Sequence, residues 1–214
     1  LERRLLANVD CLVVSSPWFV RSFYEPVQRF TGRWFLLENK VAAGDLAQAL
    51  GGRPPGRAPV PRDASRPWRI GWFGMLRCMR SLQLLGELAA RAEGRVSVSI
   101  RGRPTELPIE SFRAMVERMP HVSYGGPYRN PADLRALYDE VDIVWGLDFY
   151  DEGKNSEWLL PNRLYEALCF GKPLLALADT ATGRYVLDSG VGWSVSRPVE
   201  GALPALLASL DETA

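Results

Sequence analysis

The chain has 214 residues, 47% apolar and 24% charged, with a formal net charge of +1, the make-up of an ordinary globular protein. No apolar run approaches the roughly 18 residues a membrane span needs, and a single histidine with three isolated cysteines, Cys11, Cys78 and Cys169, offers no zinc-ligand spacing. Charge is unevenly spread: residues 1 to 80 hold 13 Lys and Arg against 6 Asp and Glu, which suits an anionic ligand or surface, but no basic block interleaved with aromatics marks a nucleic-acid groove.

The chain opens on Leu1 inside an amphipathic pattern, as a piece of a longer protein would. LERRLLANV predicts the end of a helix, DCLVVSS a buried strand, PWFVRSFYEPVQRF a helix opened by Pro17, and RWFLLENKV a second strand. Residues 51 to 67, GGRPPGRAPVPRDASRP, have no apolar period and read as a connection. Strand and helix signals then alternate: WRIGWFG, SLQLLGELAARAEG, VSVSIRG, IESFRAMVERM, HVSYGG, NPADLRALYDE with Pro131 and Asp133 in its first turn, and VDIVWGL. LLPNRLYEALCFGKP, PLLALA, TGRYVLDSG, VGWSV and PVEGALPALLASLDE complete the series. Short apolar strands separated by helices predict a parallel sheet covered on both faces, in the α/β class. Ligands of such sheets bind beyond the carboxyl ends of the strands, which directs attention to the loops after Phe73, Ile100, the strand before Gly125, Leu147 and Ala178.

LLPNRLYEALCFGKP gathers Asn162, Arg163 and Glu166 in the first turn and a half of a helix that Gly171 and Pro173 end. A helix N-terminus has unpaired N–H groups and partial positive charge, so it suits a phosphate, and an arginine there opposes the dipole unless an anion is present. A carboxylate one turn further in can accept two hydrogen bonds from the vicinal hydroxyls of a ribose. The same residues would also serve as an exposed Arg163–Glu166 pair worth a few tenths of a kcal/mol. The loop GMLRCMRS again places two arginines, Arg77 and Arg80, ahead of a helix, while neither G-x-G-x-x-G nor G-x-x-x-x-G-K-[ST] occurs.

RIGWFGMLR…RSLQLL, VSVSIRGRP, VSYGGPYRNPADLRALYDEVDIVW and LPNRLYEALCFGKPLLALADTATGRYVLDSGVGWSV, taken in order, resemble the carboxyl-terminal domain of GT-B glycosyltransferases. The likeness is to the retaining family that builds bacterial exopolysaccharide, capsule and lipopolysaccharide. DCLVVSSPWFVRSFY and FLLENKV resemble the last strand–helix–strand of that fold's amino-terminal domain. The resemblance divides the chain into an amino-terminal-domain remnant (1–45), an interdomain linker (46–67), a Rossmann-like nucleotide-sugar-binding domain (68–198) and a terminal helix (199–214). It implies that Glu166 holds the nucleotide ribose and that Arg80, at the family's basic position, contacts the diphosphate. Gly74 and Asn162 fall in the same donor loops, and Tyr128 of GGPYRNP borders the base. Arg77 and Arg163 join the phosphate site on the helix-end argument alone. The family's first glutamate, which faces the donor sugar, is replaced in register by Trp158. Asn155 or Glu157 could reach the sugar instead, and Trp158 could either stack on the sugar ring or pack in the core.

The activity implied is transfer of a hexose from a nucleotide-diphosphate sugar, with a UDP-sugar favoured, to a saccharide or lipid-linked saccharide acceptor. Configuration would be retained, with no metal and no cofactor. A nucleotide-sugar epimerase of the same architecture and a catalytically silent nucleotide-sugar-binding subunit are the alternatives. The implied location is the cytoplasm, with the basic first 80 residues able to lie against the inner face of the plasma membrane.

Overall fold

The computed structural model describes residues 2–52 and 66–213. A first unit opens with helix α1 (Glu2–Leu6) and pairs strand β1 (Cys11–Val14) in parallel with β2 (Arg33–Leu36). Between these strands the expected helix is reduced to two short pieces. Ser16 caps a single turn, α2 (Pro17–Phe19), by accepting from the Trp18 N–H at 3.3 Å, and a wider π-turn (Val20–Tyr24) follows. It ends at Tyr24, two residues before Pro26, whose ring has no N–H to continue the ladder. Helix α3 (Ala43–Leu50) comes next and ends on Gly51 in the left-handed region. Its residues 46–50 fall within the expected interdomain linker, 46–67, where the sequence showed no helix signal. Residues 53–65 of that expected linker lie outside the described residues.

The second unit runs β3 (Trp68–Leu76), α4 (Met79–Arg91), β4 (Val96–Pro104), α5 (Ile109–Val116), β5 (Val122–Tyr124), α6 (Leu134–Asp139) and β6 (Ile143–Trp145). It continues through α7 (Asn155–Trp158), α8 (Asn162–Cys169), β7 (Leu174–Leu177), α9 (Ala181–Ser189), β8 (Gly192–Val195) and α10 (Val199–Thr213). Helix α6 starts later than its sequence suggests, because Asp133 receives the backbone and side-chain N–H groups of Arg129 and does not cap the helix. The six strands are parallel, in the order β5-β4-β3-β6-β7-β8.

Alternation along the strands divides the core in two. Ile70, Trp72, Ile143, Trp145, Leu175 and Leu177 face α4, α5 and α10. Phe73, Val144, Leu174 and Ala176 face α6, α8 and α9, where Ala49 and Leu50 of α3 also pack. The chain winds outward from β3 in one direction and from β6 in the other, so the sheet has a topological switch point between β3 and β6. The fork between their carboxyl ends is where an open α/β sheet leaves room for a ligand. At the floor of this fork Gly74 and Gly102 are register partners, with φ of 110° and 145°. A Cβ on Gly102 would lie 1.8 Å from the Gly74 carbonyl oxygen, so the two strands can approach this closely only without a side chain there.

Candidate functional site

A cleft of about 570 Å³ opens at the switch point. Four of the five loops expected from the sequence line it: Gly74, Met75 and Arg77 after β3; Gly102 and Arg103 at the end of β4; Pro127, Tyr128 and Asn130 after β5; Asp148, Asn155 and the start of α8 after β6. The loop after Ala178 contributes nothing to the lining. Ser15, Phe19 and Asn39 reach it from the first unit.

Of the residues named from the sequence, Gly74, Arg77, Tyr128, Asn155, Asn162, Arg163 and Glu166 line this one cleft. Glu166 is 6% exposed, so the alternative of a surface Arg163–Glu166 pair does not hold. Its Oε1 accepts from Asn130 Nδ2 at 3.0 Å and its Oε2 from the Tyr138 hydroxyl at 2.8 Å. Burial pushes its carboxyl above the usual carboxylate range, while the two hydrogen bonds and the Arg163 charge pull it back. Each oxygen keeps a lone pair for a further donor. Arg163 donates to the Phe73 carbonyl at 3.3 Å, and its Nε is buried without a partner among the described residues. Arg77 is held by Asp148, NH2 to Oδ2 at 3.2 Å, and lies 4.8 Å over the Tyr150 ring; the other Asp148 oxygen accepts from the Tyr150 N–H at 3.0 Å. Burial, reinforced by the Glu166 charge, pushes the Tyr128 phenol up to about 12.

Three expected positions lie outside the lining. Arg80 sits over the Phe149 ring at 4.4 Å, paired with Glu200 at 3.2 Å and Glu152 at 3.5 Å, which offset its charge without a phosphate. Glu157 accepts from the Gly153 N–H at 3.0 Å and lies 3.8 Å from Arg197. Trp158 stacks on Phe23 at 5.6 Å and meets Phe19 edge-on at 6.4 Å, so it packs between the two units. Sequence reasoning missed Arg103, Asn130 and Asp148 as individual residues. Their only signal was position, one to six residues beyond Ile100, Tyr124 and Leu147, where the sequence already marked ligand loops. Tyr138 had no such signal, because a tyrosine in an apolar helix stripe reads as core.

The cleft therefore offers three arginines, Arg77, Arg103 and Arg163, the N-terminus of α8 and a desolvated carboxylate acceptor in one lining. Among the described residues no group of three or more His, Cys, Asp or Glu converges to hold a metal ion, and no helix is long and apolar enough to cross a membrane.

The comparison of folds decides the class. HepE of Anabaena, solved with UDP and glucose, superposes with a TM-score of 0.64 at 15% identity, over 97% of this chain and 56% of that one. Sucrose-phosphate synthase from Thermosynechococcus elongatus gives 0.59 at 18% identity, over 97% and 51%. WaaG, a glycosyltransferase of lipopolysaccharide biosynthesis, gives 0.59 at 16%, over 92% and 53%. This is the fold of the carboxyl-terminal half of a GT-B glycosyltransferase. In sequence, the chain is 40% identical over 191 residues to the succinoglycan biosynthesis protein ExoL of Rhizobium meliloti (strain 1021), matching 89% of this chain and 47% of that protein. It thus spans about half the length of this relative. No protein-family model matches the chain. The cleft at the switch point borders the first unit, which contributes Ser15, Phe19 and Asn39 to its lining.

Proposed function

We propose that this chain is the donor-binding half of a glycosyltransferase of cell-surface polysaccharide synthesis. It would bind a nucleoside diphosphate sugar and present it to a saccharide or lipid-linked saccharide acceptor. The observation that carries the reading is the convergence of Glu166, Arg77, Arg163 and the α8 N-terminus on one cleft at the switch point. The relationship to ExoL supports the polysaccharide setting, and the HepE complex with UDP-glucose supports a uridine nucleotide.

The chemistry follows from the charges. The acceptor hydroxyl attacks the anomeric carbon as the bond from that carbon to the phosphate oxygen breaks. The diphosphate leaves with the bonding electron pair, and a donor phosphate oxygen takes the acceptor proton, so attack and departure share one face and configuration is retained. Charge develops on the diphosphate, where preorganised donors lower the barrier most. Arg77 and Arg163 with the first N–H groups of α8 supply that stabilisation in this reading, with arginine in the place a metal ion would take. Glu166 accepts from the ribose hydroxyls, and Tyr128 borders the base. Arg80, which the family pattern would enlist, is assigned no part in it. A membrane-facing role for the basic first 80 residues belongs to the same proposal and is tested by sedimentation with anionic vesicles.

Trp158 favours one further reading, a nucleotide-sugar-binding subunit without catalysis, because it brings no carboxylate to the sugar end. Full-length protein incubated with UDP-glucose and a lipid-linked saccharide extract separates these readings from each other and from the epimerase. A lengthened saccharide supports transfer; an epimerised sugar nucleotide supports the epimerase; tight binding with an unchanged donor supports the silent subunit.

A further inference from the structure

Tyr138 is fully buried, does not line the cleft, and still places its hydroxyl 2.8 Å from the carboxylate that does. Its ring is fixed on both sides, stacked on Phe170 at 5.1 Å and meeting Phe73 edge-on at 5.3 Å. The hydroxyl thus reaches Glu166 Oε2 from the core, outside the cleft lining. Asn130 holds Oε1 from the cleft wall. We propose that Tyr138 is a positioning residue for nucleotide binding: it donates to Glu166 from inside the core, keeps that carboxylate ionised, and turns its remaining lone pairs toward the ligand. The inference rests on the reading of Glu166 as acceptor for the ribose hydroxyls.

The physical need is clear from the surroundings. The groups facing Glu166 are Tyr138 from α6, Tyr128 and Asn130 from the β5–α6 loop, and Arg163 and Cys169 on its own helix; only Arg163 carries a positive charge. A buried carboxylate with so little compensation tends to protonate, and a protonated carboxyl presents a donor where a diol needs an acceptor. A hydrogen bond to the ionised form opposes this.

Calorimetric titration of the full-length protein with uridine and with UDP, from pH 5 to 8.5, tests the idea on wild type, Tyr138→Phe and Glu166→Gln. Phe keeps the ring stack and removes only the donor. The expected result is a Tyr138→Phe affinity within about twofold of wild type at pH 8.5, with the acid limb of both titrations moved up by about one pH unit, the size expected for loss of one charge-assisted hydrogen bond. A uniform loss across the pH range, or no change at all, would overturn the proposal. Glu166→Gln checks the underlying reading separately: it should weaken uridine and UDP alike and have no acid limb. Unchanged affinity in that variant would remove Glu166 from the site and the role of Tyr138 with it. Should Tyr138→Phe fail to fold, Asn130→Ala removes the other donor from an exposed loop position and carries the same expectation for the limb.

Discussion

Two carboxylates set opposite pH dependences at the scale of single residues. Glu166 is raised in the fold, chiefly by burial. A raised group stabilises the fold fully below its unfolded value, near 4.3, and that contribution is lost as pH rises through the folded value. Glu166→Gln should therefore gain thermal stability relative to wild type between pH 4.5 and 7 while losing nucleotide affinity, as scanning calorimetry across that range would register. Asp142 runs the other way. Burial pushes its carboxyl up, but hydrogen bonds from Arg69 and Arg66 outweigh burial and leave it lowered. Its contribution is present above the unfolded value, near 3.9, and lost as pH falls through the folded one. Asp142→Ala should cost about 1–3 kcal/mol at pH 7, an amount discounted because both arginines are about a third exposed, and much less at pH 3, as urea melts at the two pH values would show.

At the scale of elements, the floor of the cleft depends on β3 and β4 approaching at Gly74 and Gly102. Gly102→Ala places a methyl group against a backbone oxygen at a φ that side chains avoid, so we expect a loss of about 1–3 kcal/mol or more, measurable by urea denaturation, and no nucleotide binding. Trp158 tests the junction of the two units. Trp158→Ala should lower the melting temperature by removing the stack on Phe23, an aromatic pair worth about 0.5–1.5 kcal/mol beyond area burial, and leave UDP affinity within about threefold. A large affinity loss without a stability change would instead return Trp158 to the ligand.

The alternation of apolar strands and helices carried the whole molecule's architecture in the sequence: the parallel sheet, its order of elements and most of the loops that line the cleft were legible from periodicity and turn residues. Helix α3 was not, because its eight residues adjoin a Pro- and Gly-rich stretch and gain their burial from α6 across the fold. At the site, Arg77, Arg163 and Glu166, each at a strand end or in a helix's first turns, all line one cleft. Arg80 lies outside that lining, and nothing in the sequence signalled it, because its ion-pair partners, Glu152 and Glu200, lie 72 and 120 residues away and only the fold brings them near. The first unit supplies Ser15, Phe19 and Asn39 to the cleft, so transfer is expected to need more of the acceptor side than these residues give. The 214-residue chain alone should bind nucleotide and transfer no sugar in a donor-consumption assay.

The central claim is that the arginines and the buried acid at the switch point grip a nucleoside diphosphate. Titration of UDP, GDP and ADP into wild type, Arg77→Ala, Arg163→Ala, Arg80→Ala and Glu166→Ala by calorimetry tests it directly. We expect at least one nucleotide to bind wild type and Arg80→Ala alike, and to bind the other three variants at least about tenfold more weakly, the loss expected for one charge-assisted contact. No binding of any nucleoside diphosphate to wild type, or equal affinity across all five proteins, would contradict the account.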